Sequence, residues 1–185
     1  MSICGPMIGI PKDCGDNNLG AIKRAVIGSF EDVTSITLVA PATPADEGVV
    51  DVITRTVGTQ FEDFPLIKDT SSMGQDWSGD LVADTHSYMQ NIVLGFRRID
   101  LRKRNAIMLL AAGRRDLIAA VLDNNDQWWL VGTDQGLRLT ENAATTGTTR
   151  ASGQQTPVTL SSENERYQWL QISEAKALAL LVAAV

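Results

Sequence analysis

Two cysteines, one histidine and no apolar run long enough to cross a bilayer are the scarcities that bound this chain of 185 residues. Both cysteines, Cys4 and Cys14, sit in a Gly- and Pro-rich N-terminal stretch with no other ligand type grouped around them, so no zinc framework is written here. They read as reduced structural thiols made in a reducing cytosol. The one histidine, His86, lies between Thr85 and Ser87 with no second histidine or cysteine nearby, which leaves a metal centre or an activated nucleophile without support. No Gly-rich phosphate cradle of the P-loop or dinucleotide type occurs either. Met1 to Pro11 lacks a basic n-region, and its apolar residues are broken by Gly5, Pro6, Gly9 and Pro11, so no export signal is expected and synthesis in a cytoplasm is. The apolar end, Ala175 to Val185, is interrupted by Lys176 and is far short of the ~20 residues of a membrane span; it reads as a packing segment, helix or strand. No membrane partner and no cofactor are expected.

What the chain does have is enough apolar residue for a core: 44% hydrophobic against 21% charged predicts one globular domain that folds without metal or disulfide. With 16 basic and 22 acidic residues the net charge is −6, which argues against general affinity for nucleic acid. The charge is unevenly placed. Arg97, Arg98, Arg102, Lys103, Arg104, Arg114 and Arg115 stand against the single acid Asp100 in that span, leaving nine of the 16 basic and 21 of the 22 acidic residues elsewhere, a net of −12. A subunit with one basic face on an acidic body is suited to pairing with copies of itself or with an acidic partner.

Along the chain, residues 1–20, with six Gly and Pro, read as an extended arm, and 21–185 as a single β-rich domain. Ala21 to Ile27 and Thr34 to Val39 are strand-like, and Gly28 to Asp32 between them reads as the turn of a hairpin. Pro41 to Gly48 is a loop; Val49 to Val57 and Phe64 to Lys68 look extended; Asp69 to Gly79 is a polar stretch. Leu81 to Thr85 and Tyr88 to Phe96 predict a further β pair. Apolar residues at helical spacing over about 99–112, namely Leu101, Ile107, Met108, Leu110 and Ala111, predict one α-helix with Gly113 as its stop. Cations crowd its N-terminus against the helix dipole, so something else must want them there. Leu117 to Leu122, Gln127 to Val131, Gly136 to Thr140, Pro157 to Leu160 and Tyr167 to Ile172 complete the strands, with Asp123 to Asp126 and Gly132 to Gly136 as tight hairpin connections and Thr145 to Gln155 as a flexible one. The sum is an α+β, mainly β domain: a β-sandwich or open barrel with one flanking helix.

Paired carboxylates, Glu62 with Asp63 and Asp123 with Asp126, lie in turn settings, and the latter lacks the rest of a calcium loop. Turn formation accounts for them, and no catalytic residue is nominated. Trp77, Trp128, Trp129 and Trp169 could make a sugar platform, but alternation on adjacent strands favours core or interface packing.

The string Ala119-Ala120-Val121-Leu122-Asp123-Asn124-Asn125-Asp126-Gln127-Trp128-Trp129-Leu130-Val131-Gly132-Thr133-Asp134-Gln135-Gly136-Leu137-Arg138-Leu139-Thr140 resembles the strand, Asp-Asn-Asn turn and aromatic strand passage of tail tube subunits of long-tailed phages, especially the Bacteroidetes type. Gly147 to Leu160, leading into Tyr167-Gln168-Trp169-Leu170-Gln171-Ile172, is similar to that family's closing strands, and Cys14 to Gly20 followed by Ala21 to Ile36 to its opening. The resemblance implies a tail-tube-like β-sandwich, hexameric rings stacking helically into a hollow virion tail tube, contacts with other tail proteins, and genomic DNA passing through the lumen without specific binding. An acidic lumen suits that passage. The expected interface residues are Arg97, Arg98, Arg102, Lys103, Arg104, Arg114 and Arg115, together with Asp69, Asp76 and Trp77; the N-terminal arm and the Pro41 to Gly79 loop are the expected contacts between stacked rings. Two alternatives stay open: another ring-forming virion protein, such as a tail completion or head–tail joining component, or a carbohydrate-binding β-sandwich.

Overall fold

A computed structural model describes residues 20–40, 47–67, 69–80, 85–97, 100–112, 115–143 and 155–184. In chain order the elements are β1 (Ile22–Ser29), β2 (Val33–Leu38), β3 (Val50–Arg55), β4 (Glu62–Pro65), β5 (Ser72–Asp80), β6 (Thr85–Arg97), α1 (Leu101–Ala112), β7 (Leu117–Asp123), β8 (Trp128–Val131), β9 (Arg138–Asn142), β10 (Gln155–Glu165), β11 (Leu170–Ile172) and α2 (Glu174–Ala179). Strands dominate, as expected, and the predicted helix is present as α1. The C-terminal packing segment is helical over α2. The predicted arm, but for Gly20, and the predicted connection Thr145 to Gln155, but for Gln155 at the start of β10, lie outside the described residues, as does the Gly113 stop.

The architecture follows from two strands that cannot tolerate water on either face. β7 reads Leu-Ile-Ala-Ala-Val-Leu, and its first five residues are all buried; β1 contributes Ala25, Val26 and Ile27, each at most 2% exposed. A continuous apolar run of this kind has to be covered on both sides. These strands pair antiparallel at the middle of a five-stranded sheet ordered β11-β8-β7-β1-β4. One face, with Ala25, Ile27, Ala119 and Val121, packs on a four-stranded sheet ordered β5-β6-β10-β9 through Ile92, Leu94, Val158 and Leu160. The other face, with Val26, Ile118, Ala120 and Leu130, is covered by the β2-β3 ribbon and α2 through Val50, Ile36, Ala177 and Leu180. Among the described residues the result is an open three-layer arrangement of antiparallel sheets, with no closed barrel.

The two large sheets are crossed. Tyr88 near the start of β6 accepts a hydrogen bond from Gln168, just before β11, at 3.2 Å, whereas Phe96 near its end lies 6.1 Å from Phe64 of β4. β6 therefore runs across the five-stranded sheet from one edge to the other, as in orthogonal packing.

Three expected connections are corrected. β1 and β2 are not a hairpin: a 3-10 turn, Phe30–Asp32, whose Phe30 N–H donates to the Asp116 carbonyl at 2.8 Å, leads the chain away to pair β2 with β3 in the outer layer. Both edges of β1 are taken instead by β4 and β7, because its two apolar faces need the middle of a sheet. The polar stretch 69–79 is not a loop but largely strand β5, which replaces Leu81 to Thr85 as the partner of β6; residues 81–84 lie outside the described set. Gly132 to Gly136 is not a hairpin turn either, since β8 and β9 belong to different sheets. It is a corner between layers, turned by Gly132 at φ 75° and Gly136 at φ 77°, where a side chain would be strained.

Buried polar groups hold that corner. The Glu165 carboxylate, fully buried, accepts from the backbone N–H of Asp134 at 2.8 Å and Gln135 at 3.0 Å and from the Ser162 hydroxyl at 2.6 Å. Gln90, equally buried, accepts from Gly132 N–H at 3.0 Å and donates to the Tyr167 carbonyl at 2.8 Å. Beneath the β2-β3 ribbon the Arg55 guanidinium donates to the carbonyls of Thr59, Ala179, Leu180 and Val182 at 2.9–3.1 Å, closing the end of α2 and stacking over Phe61. Burial among carbonyls holds its pKa below the usual arginine value.

Two outcomes follow for stability. Ala119→Leu and Ala120→Leu point into different layers yet should each destabilise by about 1–3 kcal/mol through overpacking, read by urea denaturation. Glu165→Ala, which leaves buried N–H donors unpaired, should cost more than Thr37→Ala on an exposed strand position, by at least about 1–3 kcal/mol.

Candidate assembly surface

The four-stranded sheet has one dry face and one wet face. Gln90, Ile92, Leu94 and Phe96 of β6 and Thr156, Val158, Leu160 and Ser162 of β10 point into the sandwich and are all buried. The alternate positions point away. Asp76 and Ser78 on β5, Met89 on β6, Glu163 on β10 and Thr140 and Glu141 on β9 are exposed, and Asn91, Thr159 and Ser161 are half-buried among their own neighbours. No described element covers this face. Its described side chains are small, polar or acidic apart from Met89 and Val93, and the one cation among those side chains, Arg138, is held by Asp116 at 2.5 Å. That contact raises the Arg138 pKa.

The two outer strands of this sheet, β5 and β9, carry no strand on their free sides among the described residues. β5 is nine residues long and contains neither lysine nor proline, the residues that usually blunt an edge.

The expected interface residues fall into two groups. Arg102 and Arg104 stand exposed on the first turn of α1 and Arg115 follows the helix, also exposed; none pairs with an acid among the described residues. Arg97 closes β6 and Lys103 lies on α1, while Arg98 and Arg114 lie outside the described residues. The other group belongs to β5: Asp69 is exposed in the turn before it, at φ 63°, and Asp76 and Trp77 are exposed on it. Among the described residues, Arg102 and Arg104 of α1 and Asp76 and Trp77 of β5 thus stand on separate elements. Nor is the Pro41 to Gly79 segment one reaching loop: from Val50 it supplies β3, β4 and β5, and residues 41–46 lie outside the described set.

The sequence missed the apolar half of the α1 surface. Ile107 is buried at 6% exposure, yet Leu101, Met108 and Leu109 are 71%, 53% and 75% exposed. The signal was available, because apolar residues at these positions encircle a helix rather than forming one stripe. Between α1 and β4 runs a groove of about 640 Å³ with Phe64, Pro65, Phe96, Ile107 and Leu109 in its walls. Beside it Asp63 is committed to Arg24 through two hydrogen bonds of 2.9 Å, and that bond raises the Arg24 pKa.

The residues tested for chemistry have structural partners. Asp123 accepts from the N–H groups of Asn125 and Gln127 at 2.8 Å and from the Trp129 indole at 3.1 Å, fixing the β7-β8 turn; Asp126 pairs with Lys23 at 2.5 Å. His86 is exposed on β6 with its ring edge-on to Tyr88, and no group of three His, Cys, Asp or Glu converges among the described residues. Of the tryptophans, Trp128 is 3% exposed, and Trp129 and Trp169 pack against each other at 6.3 Å. Trp77 alone among them is open, at 60% exposure. No helix among the described residues is long and apolar enough to cross a membrane. No known protein family, curated protein or solved structure matches this chain.

Because Trp77 is the exposed indole, Trp77→Phe should remove the component of emission most accessible to acrylamide and leave the thermal midpoint within about a degree of wild type. A loss of stability instead would place that indole in the core.

Proposed function

We propose that this chain is a self-assembling structural subunit, the building block of a bacteriophage tail tube in which hexameric rings stack around a lumen that passes DNA. The observation that carries this reading is the four-stranded sheet with two open edges and an uncovered acidic face. Joining β5 of one copy to β9 of the next removes both edges at once, and a rotation that closes makes a ring. Six four-stranded sheets joined in this way, at a strand spacing of ~4.8 Å, close a backbone circle roughly 37 Å across, wider once the strands tilt. That leaves room for a double helix inside the side chains.

The face that would line such a lumen suits passage rather than retention. Asp76, Glu141 and Glu163 repel phosphate, and Arg138 is already neutralised by Asp116. A basic lining would release counterions and hold the DNA. The basic residues of α1 lie on a different part of the molecule, free for protein contacts. The resemblance of the β7-β8 passage and the closing strands to tail tube subunits supports the same reading.

Negative-stain electron microscopy across a concentration series tests it: hollow tubes or stacked rings are expected, and compact monomers at every concentration would sink the proposal. If this face lines the lumen, an Asp76→Lys, Glu141→Lys, Glu163→Lys variant should form tubes that retain duplex DNA at low salt and release it as salt rises, whereas wild-type tubes retain none.

A further inference from the structure

The inner face of the β5-β6 pair runs out from under the five-stranded sheet, and we infer that the aromatic rings left uncovered there, Trp77 with Tyr88 and His86, bind the pyranose rings of a neutral glycan. The site lies on the opposite face of the sheet from Asp76 and Met89, and it does not depend on the assembly reading.

Register fixes which residues share this face. Gln75, Trp77 and Gly79 of β5 pair with Gln90, Tyr88 and His86 of β6, and side chains two apart along a strand point the same way. Gln90 is fully buried, Tyr88 half-buried and His86 exposed, so cover is lost step by step toward the Asp80–Thr85 end of the pair. Two bonds mark where it stops. The Trp169 N–H donates to the Gln75 side-chain oxygen at 3.0 Å and the Gln168 amide to the Tyr88 hydroxyl at 3.2 Å, both just ahead of the edge strand β11.

The Trp77 indole is held in place without being covered. A Cβ on Gly79 would collide with its six-membered ring, so the ring is folded along the strand onto the glycine, and 60% of the residue is still exposed. Tyr88 stands directly across from it, at the ~5 Å between Cβ atoms of a cross-strand pair, and the His86 ring is edge-on to Tyr88 at 6.3 Å. Three rings therefore lie side by side on one open surface.

Two features choose the ligand. An aromatic ring is electron-rich on its face, and the C–H groups along one side of a pyranose offer a matching apolar, weakly positive surface. Polar groups border the rings. The Tyr88 hydroxyl, accepting from Gln168, keeps its own proton for donation, while the Gln168 amide oxygen and the Gln75 amide nitrogen have no partner among the described residues. Rings edged by a hydroxyl and two amides suit a ligand with an apolar side and a rim of hydroxyls. Charge is the second feature. Among the described residues of β5 and β6 this face carries no Asp, Glu, Lys or Arg, and Glu165, opposite Tyr88 on β10, is buried and bonded to three donors. A nucleotide or a uronate would bring an anion that no cation on these strands could meet, and a neutral sugar brings none.

Isothermal titration calorimetry of the full chain with three uncharged probes, maltohexaose, cellohexaose and the hexamer of N-acetylglucosamine, tests the site. At least one should bind, and a galacturonate oligomer of similar length should not. Trp77→Ala should weaken that binding by about tenfold or more, the order lost with one stacking ring, at an unchanged thermal midpoint. Gly79→Val keeps the indole but dislodges it from its seat, and should weaken binding comparably. No heat with any of the three probes, binding that Trp77→Ala leaves intact, or equal binding of the galacturonate would overturn the site. Shielding of Trp77 from acrylamide in assembled wild-type protein would overturn it too, since a second copy would then cover the face. Tubes that bind no probe would sink this site alone, and a protein that binds one while staying monomeric at every concentration would sink only the tube.

Discussion

The double-sided burial of β1 and β7 is the constraint on which the remaining layers depend. A strand with one apolar face can end a sandwich; a strand pair with two must have a layer on each side, and here the layers are of different make. The four-stranded sheet is long and continuous, while the opposite cover is assembled from a two-stranded ribbon, a two-turn helix and the Phe61 side chain. Small residues make this possible. Ala25, Ala119 and Ala120 let the flanking layers approach the central sheet closely, so substitution there is felt on whichever side the new side chain enters.

Crossing between layers costs backbone hydrogen bonds, and the molecule offsets that cost with a few buried polar side chains. Glu165 and Gln90 take up the N–H groups of the 132–135 corner that no strand can reach, and Arg55 takes up the carbonyls left open at the end of α2. Each group is multiply bonded, which is the condition under which a buried charge or amide specifies a fold rather than weakening it. Their common position is at the joints between layers.

Because every element of the core is turned toward β1 and β7, the surfaces left over are unusually informative. One is the acidic outer face of the four-stranded sheet with its open edges; another is the groove between β4 and α1. A protein with long unblunted edges and an exposed Trp, Met and Leu either aggregates or assembles with defined geometry. The uneven charge, one basic helix on an acidic body, favours defined geometry, since like surfaces repel and unlike ones attract.

By itself the sequence determined the fold class, the helix over 101–112, most strands of the C-terminal half and the Asp123 to Asp126 turn, because these rest on local periodicity and on side chains that bond their own backbone. It also determined the two-signed charge. Pairing was decided only in three dimensions. Phe30 and Asp116 are far apart in sequence, and nothing in Gly28 to Asp32 announces that β2 will leave β1. β5 is invisible to hydrophobic patterning, since of its residues only Met73 packs on the core; it is a strand because β6 offers it an edge. Gly132 to Gly136 has the composition of a hairpin turn and the role of a corner, and the difference lies in Glu165, some 30 residues downstream. The expected surface divided in the same way: the sequence could name Arg102 and Arg104 of α1 and Asp76 and Trp77 of β5, and only the packing set them on separate elements.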